Sequence, residues 1–581
     1  MTETAHLLSE FPPVSTETWE RAIHDDLKGA DYAEKLVWRS PEGIDVKPYY
    51  RAEDVAGLNL SDTTPGDFPY VRGTRSSGDW RIREHIHAVD PEEASSAARR
   101  ALAAGAEEIA FLNAAIANSS DLGILVANLG EIPLHFAHVS PGTVRLVLER
   151  MTRRQSVALR SADLDWSADP AFSAEVISAA PAEFVPFTIR AQDYADRGAT
   201  AVEEIGFALA SGVDFLAEMR ECGVPVDRAA ESVAFSFAMG PEYFMQIAKL
   251  RAFRAVWAQA VTSFGGAREH ARARIYALTS RWNRTIYDPH NNMLRATTEA
   301  MSAVLGGADS IYVAPFDDCY NIGDEATQRL ARNTQIILKQ EAHLARVADA
   351  GGGSYYLEAL TDAIAQRAWR QLQEIETAGG YRKAAEQIEQ TLDQRKAAQA
   401  KSVVTRRRVL TGTNRFANAA EQALGRIGGD LVPHSGRAAL SFEELRLRTE
   451  RHVATTGKNP HILLAEIGDA KMRSARSGFV AEFLACAGVG VDIRSFSTTQ
   501  AIASVEADVM VLCSSDGEYL PLVTEVFAEM KARGAQTPVL IAGNPEAAEQ
   551  LRAVGVTEFI HLRSNPIEVL TKLQQLLGMG K

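Results

Sequence analysis

Cysteine is scarce in this sequence. Its 581 residues hold four, Cys222, Cys319, Cys486 and Cys513, far apart and with no CxxC pair. That excludes a disulfide framework and a cysteine-based metal centre, and free thiols in a reducing compartment are expected. Cys486 and Cys513 lie in apolar runs and read as small core residues. A positive surplus is missing as well: 61 basic against 75 acidic residues give a net charge of −14, which argues against broad nucleic-acid binding. No stretch of about 20 apolar residues occurs, so no membrane span is expected. The opening MTETAHLLSEFPP is acidic and has no apolar core behind a basic start, so it does not read as a secretory signal, and a cytoplasmic protein is expected.

The common catalytic signatures are absent too. There is no HExxH, no GxSxG, and neither GxGxxG nor GxxxxGK[ST] after a candidate strand. Gly265–Gly266, Gly306–Gly307 and Gly428–Gly429 read as helix caps and turns. His135, His138, His290 and His343 are isolated, and each reads as a hydrogen-bonded structural histidine. Acids are plentiful, but no pair is spaced for acid–base work. The residues by themselves therefore assign no catalytic, cofactor-binding or metal-ligating position.

What is present is core and periodicity. Apolar residues make up 46% and charged residues 23%, enough for a large buried interior. Residues 1–65 read as an N-terminal arm, with a helix starting after Ser15 and breaks at Pro12, Pro13, Pro48, Pro65 and Gly66. The arm lacks the apolar mass for a core of its own. From 95 to 360, apolar runs alternate with amphipathic stretches. Candidate strands fall at 108–113, 133–138, 156–160, 184–190, 232–239, 274–279, 310–314 and near 346–349. Such alternation implies a parallel sheet, either closed as an eight-stranded barrel or open and doubly wound. Residues 403–457 read as a linker whose basic triplet Arg406, Arg407 and Arg408 forms a solvated or partner-facing patch. Residues 458–581 alternate strands at 461–467, 491–495, 508–513, 538–542 and 558–561 with helices, which is a flavodoxin-like doubly wound pattern.

Several stretches resemble the methylmalonyl-CoA mutase family. The most specific is Arg329-Leu-Ala-Arg-Asn-Thr-Gln-Ile-Ile-Leu-Lys-Gln-Glu341, followed by Arg346-Val-Ala-Asp349 and Gly352-Gly-Ser-Tyr-Tyr-Leu-Glu358. Tyr243-Phe-Met-Gln-Ile-Ala-Lys-Leu-Arg-Ala-Phe-Arg-Ala-Val-Trp257, Arg197-Gly-Ala-Thr200, Asn291-Asn292 with Glu299-Ala-Met301, and Tyr70-Val-Arg-Gly73 match in the same order. The resemblance implies an α/β fold: a (β/α)8 TIM-type barrel over 66–402 with trailing helices, which in the family holds acyl-CoA, then a flavodoxin-like cobalamin-binding-type domain. It also implies a radical rearrangement of methylmalonyl-CoA to succinyl-CoA, with adenosylcobalamin supplying the hard chemistry.

The departures from the family pattern are as informative. The family binds cobalamin through a histidine in a DxHxxG loop. Here the loop reads Gly468-Asp-Ala-Lys-Met-Arg-Ser-Ala-Arg-Ser-Gly478, and no histidine occurs between His461 and His561. Lys471, Arg473 and Arg476 are poor cobalt ligands, and their side chains are expected to fill the room a nucleotide tail needs. Ser514-Ser515-Asp516 and Ala542-Gly543 stand at the family's tail-binding loops. In the barrel, a Gly-Tyr-His of catalytic chains becomes Ala191, Gln192 and Asp193. Inward serines become Pro186, Thr188 and Arg190, a His and a Gln become Tyr276 and Leu278, and a Thr-Asn-Ser run becomes Val313-Ala314-Pro315. The stretch between Arg75 and Trp80 is shorter than in the family and lacks the tyrosine that shields the radical.

These changes imply a lumen packed as an apolar core and a small, non-catalytic (beta) subunit of a heterodimeric mutase. Its partner is expected to be the large catalytic subunit, which carries the cobalamin, and the arm is expected to wrap that partner. No catalytic, cofactor-binding or metal residue is expected on this chain. A self-sufficient acyl-CoA mutase with an atypical cobalamin site stays open as an alternative. So does a cobalamin-loading protein, although the nucleotide-binding loop it would need is not there.

Overall fold

Strand after strand pairs with its sequence neighbour in the computed structural model, which describes residues 14–58, 63–152, 159–321, 324–427 and 436–580. The arm contributes a short antiparallel pair, β1 (Trp38–Arg39) and β2 (Asp45–Val46). The barrel follows as β3 (Arg81–Ile86), β4 (Glu108–Leu112), β5 (Leu134–Ala137), β6 (Leu159–Ala162), β7 (Phe187–Arg190), β8 (Val233–Met239), β9 (Ile275–Thr279) and β10 (Ser310–Tyr312). Ladders run from β3 to β6 and from β7 to β10, and β10 returns to β3, all parallel. The seam between β6 and β7 closes where Ser161 bridges Val185, with the Val185 N–H donating to the Arg160 carbonyl at 2.8 Å. With helices between the strands, this is a (β/α)8 barrel.

One barrel strand is not where the sequence put it. The stretch near 346–349 holds a short 3-10 turn, Leu344–Arg346, and Asp349 at φ +46°. The eighth strand is β3, Arg-Ile-Arg-Glu-His-Ile, at the start of the barrel. It points Arg81, Arg83 and His85 into the lumen. Outward, it gives Glu84 to Arg332 at 2.7 Å. A strand with polar groups on both faces has no apolar period to detect. Of the candidate strand 156–160, residues 156–158 lie outside the described residues, as do Gly428 and Gly429.

The stretches that carry the family resemblance form the scaffold. Arg72 pairs with Asp349 at 2.9 Å and with Glu358 at 3.0 Å, while the fully buried Arg251 reaches Glu358 at 2.8 Å and also Asp349. Four separate motifs thus meet in one buried ion-pair network. Gly352 is needed there, because a Cβ would sit 2.2 Å from Arg72 Nη1. Arg254 ties the carbonyls of Tyr70 and Gly306 (2.9 and 2.6 Å), and Glu299 holds Arg284 at 2.6 Å. Thr200 and Glu203 cap the helix Ala201–Glu221 reciprocally.

The second sheet consists of β11 (Ile462–Glu466), β12 (Asp492–Ser495), β13 (Val509–Cys513), β14 (Val539–Ala542) and β15 (Glu558–Ile560), in the parallel order 12-11-13-14-15. Apolar side chains cover both faces, Phe442, Phe483 and Leu570 on one and Tyr519, Val526 and Leu551 on the other. That is the flavodoxin-like arrangement expected. The stretch 403–457 contributes to this unit through the helix Leu440–Thr456, whose Phe442 and Leu445 join its core.

The basic triplet is not a solvated patch. Arg406 stacks on Phe483 at 4.8 Å and donates to Cys486 Sγ at 3.3 Å. Arg408 lies 4.2 Å over the ring of Trp282 and pairs with Glu242 of the barrel. Arg407 alone of the three is exposed. Aromatic faces took up these cations, and charge counting along the chain could not foresee that. No helix of the described residues is long and apolar enough to cross a membrane.

Candidate functional site

Function in this architecture is sited at the carboxyl mouth of the barrel and at the carboxyl edge of the second sheet. A layer of polar and aromatic side chains closes the lumen beneath the barrel's mouth. Arg83 of β3 donates through Nε to Glu108 Oε1 of β4 at 2.5 Å and through Nη2 to His135 Nε2 of β5 at 3.3 Å. Its guanidinium carbon lies 3.8 Å over the ring of Tyr276 from β9. The Tyr276 hydroxyl bonds His85 Nε2, and the His85 ring stacks on Tyr312 at 3.6 Å. The cavity above the layer measures about 170 Å³, below the ~300–1,000 Å³ of typical small-molecule sites.

Ser161, His135 and Glu108 are strung together like a nucleophile, base and orienting acid, with His135 Nδ1 at 2.5 Å from Ser161 Oγ and Nε2 at 3.4 Å from Glu108. The surroundings do not suit that chemistry. Glu108 is already paired with Arg83 at 2.5 Å, and burial together with Arg83 disfavours the imidazolium that a general base must become when it takes a proton. Burial, with Arg83 adding to it, lowers the pKa of both His135 and His85 and keeps them neutral. Burial would raise Glu108, but Arg83 and His135 outweigh it and hold its carboxyl far below the usual range.

At the rim, Arg190 donates to His138 Nδ1 at 2.9 Å and to Asp193 at 3.1 Å, and Ser236 donates to Gln192. Asp196 also lines this cavity, and burial pushes its carboxyl up to about 6. Among the described residues, no group of three or more His, Cys, Asp or Glu side chains converges to hold a metal.

The second sheet's edge is occupied by the protein's own side chains. Asp469 caps the helix Ala470–Ala485, accepting from Met472 N at 2.8 Å. Arg476 on that helix crosses the cleft to the Ala542 carbonyl (2.7 Å) and to Asp516 (2.8 Å). A Cβ on Gly543 would stand 1.9 Å from Arg476 Nη1. Glu518 gathers the hydroxyls of Ser514 and Ser515, both at 2.6 Å, and these bonds lower its pKa to about 2. These residues do not fit cobalamin: the loop 468–478 carries no histidine, and a guanidinium lies across the glycine where a nucleotide tail would need room.

Of the three cations expected to fill this cleft, Arg476 does so, whereas Lys471 is exposed and Arg473 turns to the Gly468 carbonyl at 3.4 Å. In the barrel, Thr188, Arg190, Gln192, Asp193, Tyr276 and Leu278 line the mouth as their strand positions imply. Pro186 and Val313-Ala314-Pro315 are buried in the wall. The lumen is not packed as an apolar core, because its filling is an ion pair, two histidines and two tyrosines. Arg83 and His85 were missed because β3 was not recognised, and Glu108, at the start of a strand that was, went unnoticed because its partner Arg83 was not placed. A charged pair on two successive strand starts was the signal available.

Comparison with known proteins agrees with this geometry. The family model described as methylmalonyl-CoA mutase matches residues 39–124 and 171–452. A methylmalonyl-CoA mutase small subunit of Porphyromonas gingivalis is 35% identical, over 99% of both chains. One of Streptomyces virginiae is 31% identical, over 99% of this chain and 98% of that one. A methylmalonyl-CoA mutase of Escherichia coli is 28% identical, over 79% of this chain and 73% of its own length. With the barrel, the second sheet and matches that span nearly the whole length, the chain belongs to the methylmalonyl-CoA mutase family.

Proposed function

We propose that this chain is the small subunit of a heterodimeric adenosylcobalamin-dependent methylmalonyl-CoA mutase, which converts methylmalonyl-CoA to succinyl-CoA, and that it stabilises the catalytic large subunit without turning over substrate itself. The observation that carries this reading is the closed lumen: Arg83, Glu108, His135 and Tyr276 occupy the axis along which an extended thioester would have to lie. Arg476 across Gly543 supports placing the cobalamin on the partner. In this reading 1–65 is an arm for the partner, 66–402 the barrel, 403–457 the connecting stretch and 458–581 a degenerate cobalamin-binding-type domain. The arm suits that role because the helix Thr16–Asp26 buries no residue and leaves Trp19 48% exposed. Binding only the folded partner would stabilise it by mass action.

The test is to purify the chain alone and together with its large subunit, then measure mutase turnover and the corrin absorption spectrum. Activity and corrin are expected in the pair and not on the lone chain. Turnover or stoichiometric corrin on the lone chain would end this reading.

A further inference from the structure

The opposite mouth of the barrel, at the amino ends of the strands, holds a cavity of about 410 Å³. Arginines dominate its walls. Arg83 is committed to Glu108, and Arg75 faces Asp309 at 3.4 Å. The other oxygen of Asp309 accepts from Ile275 N at 2.8 Å. Arg81, Arg160 and Arg274 also line the cavity, and among the described residues they form no ion pair or side-chain hydrogen bond. Glu183 is the lining carboxylate outside those pairs, and Glu231 and Asp309 also act on Arg274. The wall thus carries five arginines against three carboxylates, a surplus in a chain whose net charge is −14. Arg81, Arg160 and Arg274 come from three different strand starts, so the fold itself, and not a local run of basic residues, gathers them.

Their environment favours an anion. Arg274 is half-buried, and burial lowers its pKa, with Arg160 and Arg228 pressing the same way against Glu231 and Asp309. Like charges held together in a partly desolvated pocket are relieved by a bound counter-anion. Forked guanidiniums match the oxygens of phosphate and carboxylate groups. The ceiling of the cavity is the layer of Arg83, His135 and Tyr276, so a ligand here enters from below and stops. A molecule that must run the length of the barrel is excluded.

We propose that this mouth is a binding site for a compact oxyanion carrying two or more negative charges, held by Arg81, Arg160 and Arg274. The site is separate from the mouth where chemistry is sited in this architecture, and it stands whether or not the chain is catalytic.

Calorimetric titration of the full chain at low ionic strength, with inorganic phosphate and with citrate as the probes, tests the proposal. Saturable binding of at least one probe is expected. Arg160→Gln and Arg274→Gln should each weaken it by about ten- to a hundredfold, the size of one charge-assisted hydrogen bond. Arg407→Gln, which changes an exposed arginine elsewhere, should leave it unchanged. The melting temperature of the unliganded Gln variants should not fall, since the two arginines have no partner to lose. Tighter phosphate binding would assign a tetrahedral phosphoryl ligand, and tighter citrate binding a polycarboxylate. No saturable binding of either probe up to ~10 mM, or binding that both substitutions leave intact, would overturn it.

Discussion

Arg83 lies over the ring of Tyr276, its guanidinium carbon 3.8 Å from the centroid, while its Nε donates to Glu108 at 2.5 Å. One guanidinium thus bonds in its plane and stacks on its face, and it joins β3, β4 and β9 across the lumen. Arg83→Met would leave Glu108 buried without a countercharge, which costs about 3–5 kcal/mol. Arg83→Lys keeps the charge but loses the fork and the stacking, so it should cost less than Arg83→Met and still be measurable. Urea unfolding of both variants checks this. A cost below ~1 kcal/mol for Arg83→Met would mean the layer does not hold the barrel together.

The same layer should make the chain acid-sensitive. His85 and His135 titrate lower in the folded chain than in the unfolded one. Below about pH 6.5 the unfolded chain therefore binds protons that the native state refuses, and stability falls with pH. Glu108, held low, adds its own loss in the same direction at more acid pH. Melting temperature is expected to drop between about pH 7 and pH 5, before most carboxylates protonate. His135→Gln should flatten that slope, and an unchanged slope would remove His135 from the account.

Asp196 has the opposite sign. Burial raises its carboxyl to about 6, so the folded chain holds a proton that the unfolded chain has lost. Its contribution is present below the unfolded value of about 3.9 and is lost as pH rises through about 6. Asp196→Asn should therefore raise the melting temperature at pH 7.5 and leave it nearly unchanged at pH 4. Equal shifts at both pH values would point to packing instead of charge.

Much of the fold was legible because periodicity and turn chemistry report on it directly. The helix cap at Ser15, seven of the barrel strands and the five strands of the second sheet all follow apolar runs of the right length. β3 was not legible, because its outward Glu84 is matched by Arg332, about 250 positions later, and its inward Arg83 by a residue on the next strand. A charge looks like loop until its partner is known. Arg406 and Arg408 hid for the same reason, since their partners are aromatic rings in the helix Ala470–Ala485 and beside the barrel. The missing histidine at 468–478 was plain from composition, but that Arg476, and not Lys471 or Arg473, crosses the cleft depends on helix phase.

That crossing is open to a double-mutant cycle. Gly543 stands at φ +147°, and a Cβ there would meet Arg476 Nη1 at 1.9 Å. Gly543→Ala should destabilise the chain both by backbone strain and by this clash. Arg476→Ala removes the clash but gives up two hydrogen bonds, to Ala542 and Asp516. The double variant is expected to be more stable than the two single costs predict, with an interaction energy of about 0.5–3 kcal/mol. Additive costs would show that the cleft adjusts freely around Gly543, and the case for a sterically filled tail site would weaken.

The arm can be separated from the fold it decorates. The helix Thr16–Asp26 is tied to the chain by Thr16 to Glu53 at 3.1 Å, by Arg51 to the Val14 carbonyl at 2.7 Å, and by Trp19 beside Tyr49. None of its residues is buried, so removing it takes little apolar surface out of the core. Ile44 and Val46, further along the arm, do belong to the barrel core and must stay. Deleting residues 1–30 should therefore leave the melting temperature of the lone chain within about 2 °C. If Trp19 and its neighbours face the large subunit, the same deletion should weaken pairing, and Trp19→Ala should lose part of that affinity on its own, as exposed aromatic anchors do. Sedimentation of the pair against that of the lone chain separates the effects. A deletion that melts the lone chain while leaving pairing intact would show that the arm serves its own barrel.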